Sequence, residues 1–212
     1  MKEPPIFVQR FTGKIAAQDR MRIFDQTPAT IWLTGLSGVG KSTLAFALEE
    51  RLIALGHACY VLDGDNIRHG LASDLGFERD DRRENIRRVA HVAQLMNDAG
   101  LIVITALISP LREDRAMARE IIGADKFVET YVSASLAICA SRDPKGLYAK
   151  ARSGEISSFT GVSAPYEAPI DPDLHVETGT LSPAQSVAQI FHYLHEKCLG
   201  RSAQRTAHVA GA

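Results

Sequence analysis

The hydrophobic and polar positions of this chain predict alternating strands and helices. Short apolar runs have the length of buried strands at 30–34, 58–62, 101–106, 126–132 and 174–178. Apolar residues recur every three or four positions, as on one face of a helix, at 43–52, 80–99, 111–122, 135–141, 147–152 and 182–198. Strands that alternate with helices favour an α/β fold, in which a mainly parallel five-stranded sheet lies between two helical layers as a three-layer sandwich.

The same pattern predicts one folded domain at 30–197 with a long loop inside it. Residues 142–166 carry three glycines, two prolines and four cations. Loops of this length in a compact domain are commonly functional, so we expect a mobile lid at about 143–167. Residues 1–29 mix charges, prolines and short apolar pieces and are predicted to be an N-terminal leader, and residues 198–212 a disordered C-terminal tail.

The composition restricts the functional class and the location. The formal net charge of −1 argues against a basic surface large enough for duplex nucleic acid. The longest apolar run, 101–108, is too short to cross a bilayer, and the first five residues lack the apolar segment of a signal peptide. Cys59, Cys139 and Cys198 are scattered, which predicts neither a disulfide framework nor a zinc site. Together these features favour a cytoplasmic protein without nucleic-acid or membrane partners.

A glycine-rich stretch between the first strand and the first long helix predicts phosphate binding. It has the pattern G-x-x-x-x-G-K-S, formed by Gly35, Leu36, Ser37, Gly38, Val39, Gly40, Lys41 and Ser42. Its glycines let the backbone wrap an anion, which the N–H groups and the positive end of the helix then face. Lys41 would reach the β- and γ-phosphates of a nucleoside triphosphate, and the Ser42 hydroxyl would hold Mg²⁺. The alternative is a glycine-rich turn without function, whereas a dinucleotide fingerprint is excluded because its third glycine is missing.

A carboxylate at the end of the second strand is the candidate catalytic group. Asp63 follows that strand at the edge of a parallel sheet where ligands bind. It would take a proton from an attacking hydroxyl or hold Mg²⁺, either directly or through water. No aspartate ends the third strand, where many phosphate-loop enzymes bind their metal, so this role moves to Asp63. The alternative is a structural role, in which Asp65 or Asn66 caps the short helix that follows.

The charged residues at 80–88 alternate in sign, which predicts solvated pairs for most of them. Glu84, for example, lies four residues before Arg88. Arg82 is the exception, because its position at the start of a helix lets it meet a phosphate or a sulfate. Together with a cationic lid, this arginine favours a small-molecule kinase. A switch GTPase is excluded because no N-K-x-D element follows a later strand.

Six motifs in their order resemble the adenylylsulfate kinase (APS kinase) family of P-loop kinases. They lie at 35–43, 63–68, 81–88, 108–110, 142–148 and 159–167, and the resemblance covers about residues 28–196. It implies a fold of the P-loop NTPase type and members that are commonly homodimers. It also implies a reaction, in which the γ-phosphate of MgATP passes to the ribose 3′-hydroxyl of adenylyl sulfate and gives 3′-phosphoadenylyl sulfate and ADP.

The resemblance further implies a role for each matching residue. Asp63, Lys41 and Lys145 would be catalytic, and Lys145 would bridge the phosphates from the lid. ATP would lie on the loop from Gly35 to Thr43, with Arg142 against its adenine. Phe77 and Phe159 would sandwich the adenine of the acceptor. The implied acceptor-binding residues are Arg68, Phe77, Arg82, Asn85, Ile108, Ser109, Lys145, Leu147 and Phe159.

Leu107 departs from the family pattern, and two alternative functions stay open. Leu107 stands where many members have phenylalanine, which would loosen packing around the acceptor. With 212 residues we expect a stand-alone kinase that is not fused to an ATP sulfurylase. One alternative is another small-molecule kinase, acting on gluconate or a nucleoside monophosphate. The other is a non-catalytic nucleotide sensor, which the intact set of Lys41, Ser42, Asp63 and Lys145 disfavours.

Overall fold

A computed structural model describes residues 8–9, 11, 13–197 and 199 of the chain. The strands of its sheet are β1 Thr30–Thr34, β2 Cys59–Asp63, β3 Ile102–Ala106, β4 Phe127–Ser133 and β5 Leu174–Glu177. The helices are α1 Ala17–Phe24, α2 Lys41–Ala54, α3 Gly64–Arg68, α4 Arg79–Asp98, α5 Arg112–Ile122, α6 Leu136–Arg142, α7 Leu147–Arg152 and α8 Pro183–Lys197. Every pairing in the sheet is parallel and its order is β2-β3-β1-β4-β5, which confirms the predicted α/β class.

Two helical layers bury the two faces of the sheet. The apolar residues of α2 and α8 form one core with Ile31, Leu33 and Ile104. On the other face, α4 and α5 pack over Trp32 and Phe127, whose rings stack with centroids 5.5 Å apart. All five positions of β1 and of β3 are buried, as expected of central strands with helices on both sides. The three-layer arrangement is therefore built on β1 and β3.

One helix and one buried residue lie in segments that the sequence analysis placed outside the domain. α1 lies in the predicted leader, and none of its eight residues is buried. Its positions 17, 21 and 24 are apolar at helical spacing, but this period is too short to stand out among the charges around it. It contacts the domain through Arg20, whose Nη1 donates to the Asp98 carbonyl at 3.4 Å. Leu199, in the predicted tail, is buried against the core. The remainder of the tail and residues 1–7, 10 and 12 of the leader lie outside the described residues.

The strand order decides where a ligand binds. Because all five strands run the same way, their carboxyl ends meet at one edge of the sheet. The loop 35–40 follows β1 there, Asp63 ends β2, and the segment 107–111 follows β3. Among the described residues, no helix has both the length and the apolar character needed to cross a bilayer.

The buried face of α2 predicts a specific loss of stability. Leu48 is completely buried, so Leu48→Ala should leave a cavity and lower the free energy of unfolding by about 3 kcal/mol. Ile53 lies in the same helix and is 55% exposed, so Ile53→Ala should cost less than about 1 kcal/mol. Urea denaturation followed by circular dichroism measures both. Equal losses in the two variants would contradict the assignment of this helix face to the core.

Candidate active site

A cavity of about 970 Å³ opens at the carboxyl edge of the sheet. Its lining comes from segments within 37–44, 63–68, 77–86, 106–110, 142–160 and 178–183. All the site residues expected from the sequence line it except Gly35 and Leu36, the first two residues of the glycine-rich loop. The structure thus brings together side chains that lie up to 122 positions apart, from Ser37 to Phe159.

The glycine-rich loop fits between neighbouring backbones only because it lacks side chains at two positions. A Cβ on Gly35 would lie 2.2 Å from the carbonyl oxygen of Val132, the second-to-last residue of β4. A Cβ on Gly38, whose φ is +74°, would lie 2.8 Å from the Cys139 carbonyl oxygen. Both oxygens are backbone atoms, which cannot shift as easily as the end of a flexible side chain. The loop therefore needs glycine at both positions to lie against these backbones.

The Lys41 side chain folds back over this loop. Its ammonium group donates to the carbonyl oxygens of Gly35 at 2.9 Å and Leu36 at 2.8 Å. Burial lowers the pKa of Lys41 to about 7, and the nearby cation Lys145 acts in the same direction. Asp63 opposes this shift. A buried ammonium group beside backbone N–H groups is suited to a phosphate chain, whose negative charge would stabilise its protonated form.

Ser42 and Asp63 form the candidate metal and catalytic centre. The Ser42 hydroxyl donates to Oδ2 of Asp63 at 2.7 Å. Oδ1 of the same carboxylate accepts from the backbone N–H groups of Asp65 at 3.0 Å and Asn66 at 3.4 Å, so Asp63 is the cap of α3. The alternative that Asp65 or Asn66 caps this helix is wrong. A hydroxyl oxygen beside a carboxylate oxygen is a donor set that fits Mg²⁺.

Two cations at the start of the long loop contact opposite sides of the cavity. Lys145 forms an ion pair with Asp65, and both side chains are more than half exposed. Arg142 donates through Nη2 to the Thr178 carbonyl at 2.6 Å and through Nη1 to the Val39 carbonyl at 3.4 Å. Lys145 thus pairs with the first turn of α3 at the cavity lining, whereas Arg142 connects the glycine-rich loop to the residue after β5.

Two aromatic rings and two arginines form the other end of the cavity. Phe77 is 63% exposed, and Phe159 is buried with its ring edge-on to Tyr148. The Arg68 guanidinium lies 4.2 Å from the centroid of the Phe77 ring. Arg82 connects the two aromatic segments, since it donates to the Phe77 carbonyl at 2.5 Å, to the Ser158 carbonyl at 2.6 Å and to a threonine hydroxyl one residue after Phe159.

Polar groups beside this aromatic end are held rigidly or lack a partner. Asn85 is 6% exposed, and among the described residues its Oδ1 has no hydrogen-bond partner. Ser109 has a φ of +38°, which is rare for a residue with a side chain. Its hydroxyl accepts from Trp32 Nε1 at 3.1 Å. An unpaired buried oxygen next to fixed backbone groups is typical of a binding site for a polar ligand.

Sequence reasoning missed two residues that support the glycine-rich loop. The Tyr148 hydroxyl donates to the Ser37 carbonyl at 2.9 Å, and the Thr178 hydroxyl donates to the Val39 carbonyl at 2.7 Å. Tyr148 ends the matched motif at 142–148, but no role was assigned to it, because its position in a short helix looks like any apolar position. Thr178 follows the last strand, so the rule that identified Asp63 at a strand end would have found it.

The interpretation of the other α4 charges as surface pairs agrees with the contacts of Glu84. Its carboxylate accepts from Arg87 at 2.7 Å and from Arg88 at 2.9 Å. The Arg87 hydrogen bond is the largest of the effects that lower the pKa of Glu84 to about 2. These residues do not line the cavity.

The lowered pKa of Lys41 predicts that Lys41 takes up a proton when a polyphosphate binds beside it. A bound polyphosphate would raise this pKa again, so the affinity for ADP should fall by roughly tenfold per pH unit between pH 7.5 and 9. Calorimetry at pH 8 in two buffers of different ionisation enthalpy should report the uptake of nearly one proton. Lys41→Arg keeps the charge at every pH and should remove the buffer dependence. Equal buffer dependence in the wild type and the arginine variant would contradict the assignment.

Comparison with known proteins agrees with this geometry. A family model described as adenylylsulphate kinase matches residues 27–177. An adenylyl-sulfate kinase of Vibrio cholerae is 56% identical over 178 residues, which cover 84% of this chain and 83% of that protein. One of Vibrio parahaemolyticus is 52% identical over 188 residues, which cover 89% of this chain and 88% of that protein. The solved structure of the Mycobacterium tuberculosis APS kinase CysC in complex with AMPPNP and APS has a TM-score of 0.77 and 48% identity, covering 80% of this chain and 98% of that one. The chain therefore belongs to the adenylylsulphate kinase family.

Proposed function

We propose that this chain transfers the γ-phosphoryl group of ATP to the ribose 3′-hydroxyl of adenylyl sulfate, giving 3′-phosphoadenylyl sulfate and ADP. The observation that carries this proposal is the arrangement of one cavity, with a phosphate-binding loop at one end and an aromatic, arginine-bearing pocket at the other. Asp63 lines the same cavity. The related kinase of known structure was solved with AMPPNP and APS, which are an ATP analogue and this acceptor.

ATP would bind with its phosphates on the loop 35–43. The loop N–H groups and the N-terminus of α2 would hold the β-phosphate, as at other helix N-termini that follow such loops. Lys41 would exchange its two carbonyl contacts for the transferring phosphoryl group, where its charge is worth most in the transition state. Arg142, next to Thr178 and Leu181, would lie against the adenine.

Asp63 would prepare the acceptor hydroxyl for attack. Its carboxylate would accept the 3′-hydroxyl proton or hold this oxygen in line with the γ-phosphorus, while the α3 cap fixes its orientation. Mg²⁺ bound by Ser42 and Asp63, directly or through water, would neutralise charge between the phosphates. The resulting alcohol phosphate keeps the phosphosulfate group unchanged.

The aromatic end of the cavity would hold adenylyl sulfate. Phe77 and Phe159 would stack on its adenine, with Leu147 at the edge of the base. Arg68 and Arg82 would bind the phosphosulfate, because guanidinium groups match both anions in two-point contacts. The remaining contacts with the acceptor would come from Asn85, Ile108 and Ser109.

The stretch 143–167 would act as a lid of the kinase domain 30–197. Its Lys145 would leave the exposed carboxylate of Asp65 and bridge the phosphates of the two substrates. Closing the cavity would exclude water, which otherwise competes with the sugar hydroxyl for the phosphoryl group. A homodimer in the cytoplasm is the assembly and the location that we propose from the family resemblance and the sequence.

An acceptor panel tests the proposed function directly. The wild type should release ADP rapidly with adenylyl sulfate and slowly with gluconate, nucleoside monophosphates or no acceptor, as followed by a coupled ADP assay. Turnover with gluconate or a nucleoside monophosphate but not with adenylyl sulfate would replace the proposal by another small-molecule kinase. ATP binding without turnover on any acceptor would favour a nucleotide sensor.

The role of Asp63 predicts a loss of rate without a loss of nucleotide affinity. Asp63→Asn should lower kcat by at least about 100-fold, while the Kd for ADP changes by less than about threefold. Asp65→Asn is the matched control, because Asp65 makes no hydrogen bond to Ser42, and it should lower kcat by less than about tenfold. Rapid-quench kinetics and ADP titration measure the two quantities. Similar kcat values for both variants would contradict the assignment of the base.

The exposed ring of Phe77 predicts a loss specific to the acceptor. Phe77→Ala should raise the KM for adenylyl sulfate by roughly tenfold, which is the usual value of one lost stacking contact, and change the KM for ATP by less than about twofold. Phe77→Tyr keeps the aromatic face and should restore a nearly normal KM. Steady-state kinetics with each substrate varied in turn measures these values, and an unchanged KM for adenylyl sulfate in the alanine variant would place the acceptor elsewhere.

A further inference from the structure

A buried arginine lies behind the wall of the cavity and contacts three separate parts of the chain. The Arg115 side chain is 2% exposed. Its Nε donates to Oε1 of Glu129 at 2.6 Å, its Nη1 to the Ser109 carbonyl at 2.8 Å, and its Nη2 to the Glu167 carbonyl at 2.8 Å. Arg115 does not itself line the cavity, so it cannot contact a ligand there.

The two carbonyls that accept hydrogen bonds from Arg115 belong to two different segments of the proposed site. Ser109 lies in the wall of the acceptor pocket, and Glu167 ends the stretch proposed as the lid. A direct bond also joins these segments, since the Glu167 N–H donates to the Pro110 carbonyl at 2.8 Å. The guanidinium group therefore adds two hydrogen bonds to this direct connection between the acceptor wall and the end of the lid.

Ser109 needs such support because its backbone is strained. A φ of +38° is unfavourable for a serine and persists only where neighbouring groups determine it. Trp32 bonds its hydroxyl, and Thr34 donates to the carbonyls of Ile108 at 2.8 Å and Ser109 at 3.3 Å. Of these groups, Arg115 alone is charged, and its planar fork meets two carbonyls that a lysine ammonium could not reach together.

We propose that Arg115 is a positioning residue for the acceptor: it sets the backbone at 108–110 and ties it to the end of the lid. This inference rests on the proposed function, because it names the pocket wall that adenylyl sulfate would contact. It assigns no chemical step to Arg115. Loss of its fork should weaken acceptor binding and leave ATP binding nearly unchanged.

Arg115→Lys and the matched control Arg119→Lys test this assignment. Arg119 lies one helical turn further along α5 and contacts Asp173 and the same Glu129, but it has no hydrogen bond to Ser109 or Glu167. Arg115→Lys should raise the KM for adenylyl sulfate by roughly tenfold, while the KM for ATP changes by less than about twofold. Arg119→Lys should change neither KM by more than about twofold.

A further variant, Glu129→Gln, and a hydrogen-exchange measurement without substrate also test the role of Arg115. Glu129→Gln leaves both carbonyl contacts in place and should raise the KM for adenylyl sulfate by about two- to threefold. Hydrogen exchange of the Glu167 amide should become roughly tenfold faster in Arg115→Lys and stay unchanged in Arg119→Lys. Thermal melting of each variant reports any general loss of stability.

The outcomes separate this inference from the proposed function. Equal KM values for the two lysine variants, or a parallel rise of both KM values with a lower Tm, would overturn the role of Arg115. A wild type that does not phosphorylate adenylyl sulfate would overturn the proposed function instead. In that case the exchange of the Glu167 amide still decides whether Arg115 ties the two segments, and an unchanged rate in Arg115→Lys would show that it does not.

Discussion

The loop after β1 passes so close to the end of β4 that a side chain on its first residue has no space. The 2.2 Å separation between a Cβ on Gly35 and the Val132 carbonyl oxygen describes this constraint, and Gly38 meets a similar one against Cys139. Because the loop lies against these backbones, Tyr148 and Thr178 reach its carbonyls with their hydroxyl groups. A local motif of eight residues thus takes its shape from contacts made more than 90 positions later in the chain.

The cations of the site are each bonded to oxygen atoms of the protein. A buried charge without partners is costly, which applies to Lys41, and the more exposed cations Arg82 and Lys145 also contact oxygens of the protein. Lys41 uses loop carbonyls, Arg82 uses the carbonyls of Phe77 and Ser158, and Lys145 uses the carboxylate of Asp65. Under the proposed function, the phosphates and the sulfate of the substrates would replace these acceptors. The free energy gained from each new contact is therefore the difference between the cation's bond to the substrate and its bond to the protein.

Sequence reasoning succeeded where the information is local and failed where it is not. The strand, glycine-rich loop and helix are consecutive, and Asp63 follows directly from the end of a strand. The strand order, by contrast, depends on which strands pair across long connections, and no periodicity records it. Arg115 was not singled out from the sequence, because only the fold shows that Glu129 and two carbonyls surround it. The helix α1 was missed because its apolar period, at positions 17, 21 and 24, is too short to stand out among the charges around it.

The strand order also determines how Asp63 and Ser42 meet. In the order β2-β3-β1, Ala106 at the end of β3 pairs with Asp63 on one side and with Leu33 on the other. β3 therefore separates the strand that Asp63 ends from the strand that leads into the glycine-rich loop. Ser42, at the start of α2, nevertheless reaches the Asp63 carboxylate with its hydroxyl at 2.7 Å. The two ligands proposed for Mg²⁺ thus follow strands that do not pair with each other, and they meet because a parallel sheet brings its carboxyl ends to one edge.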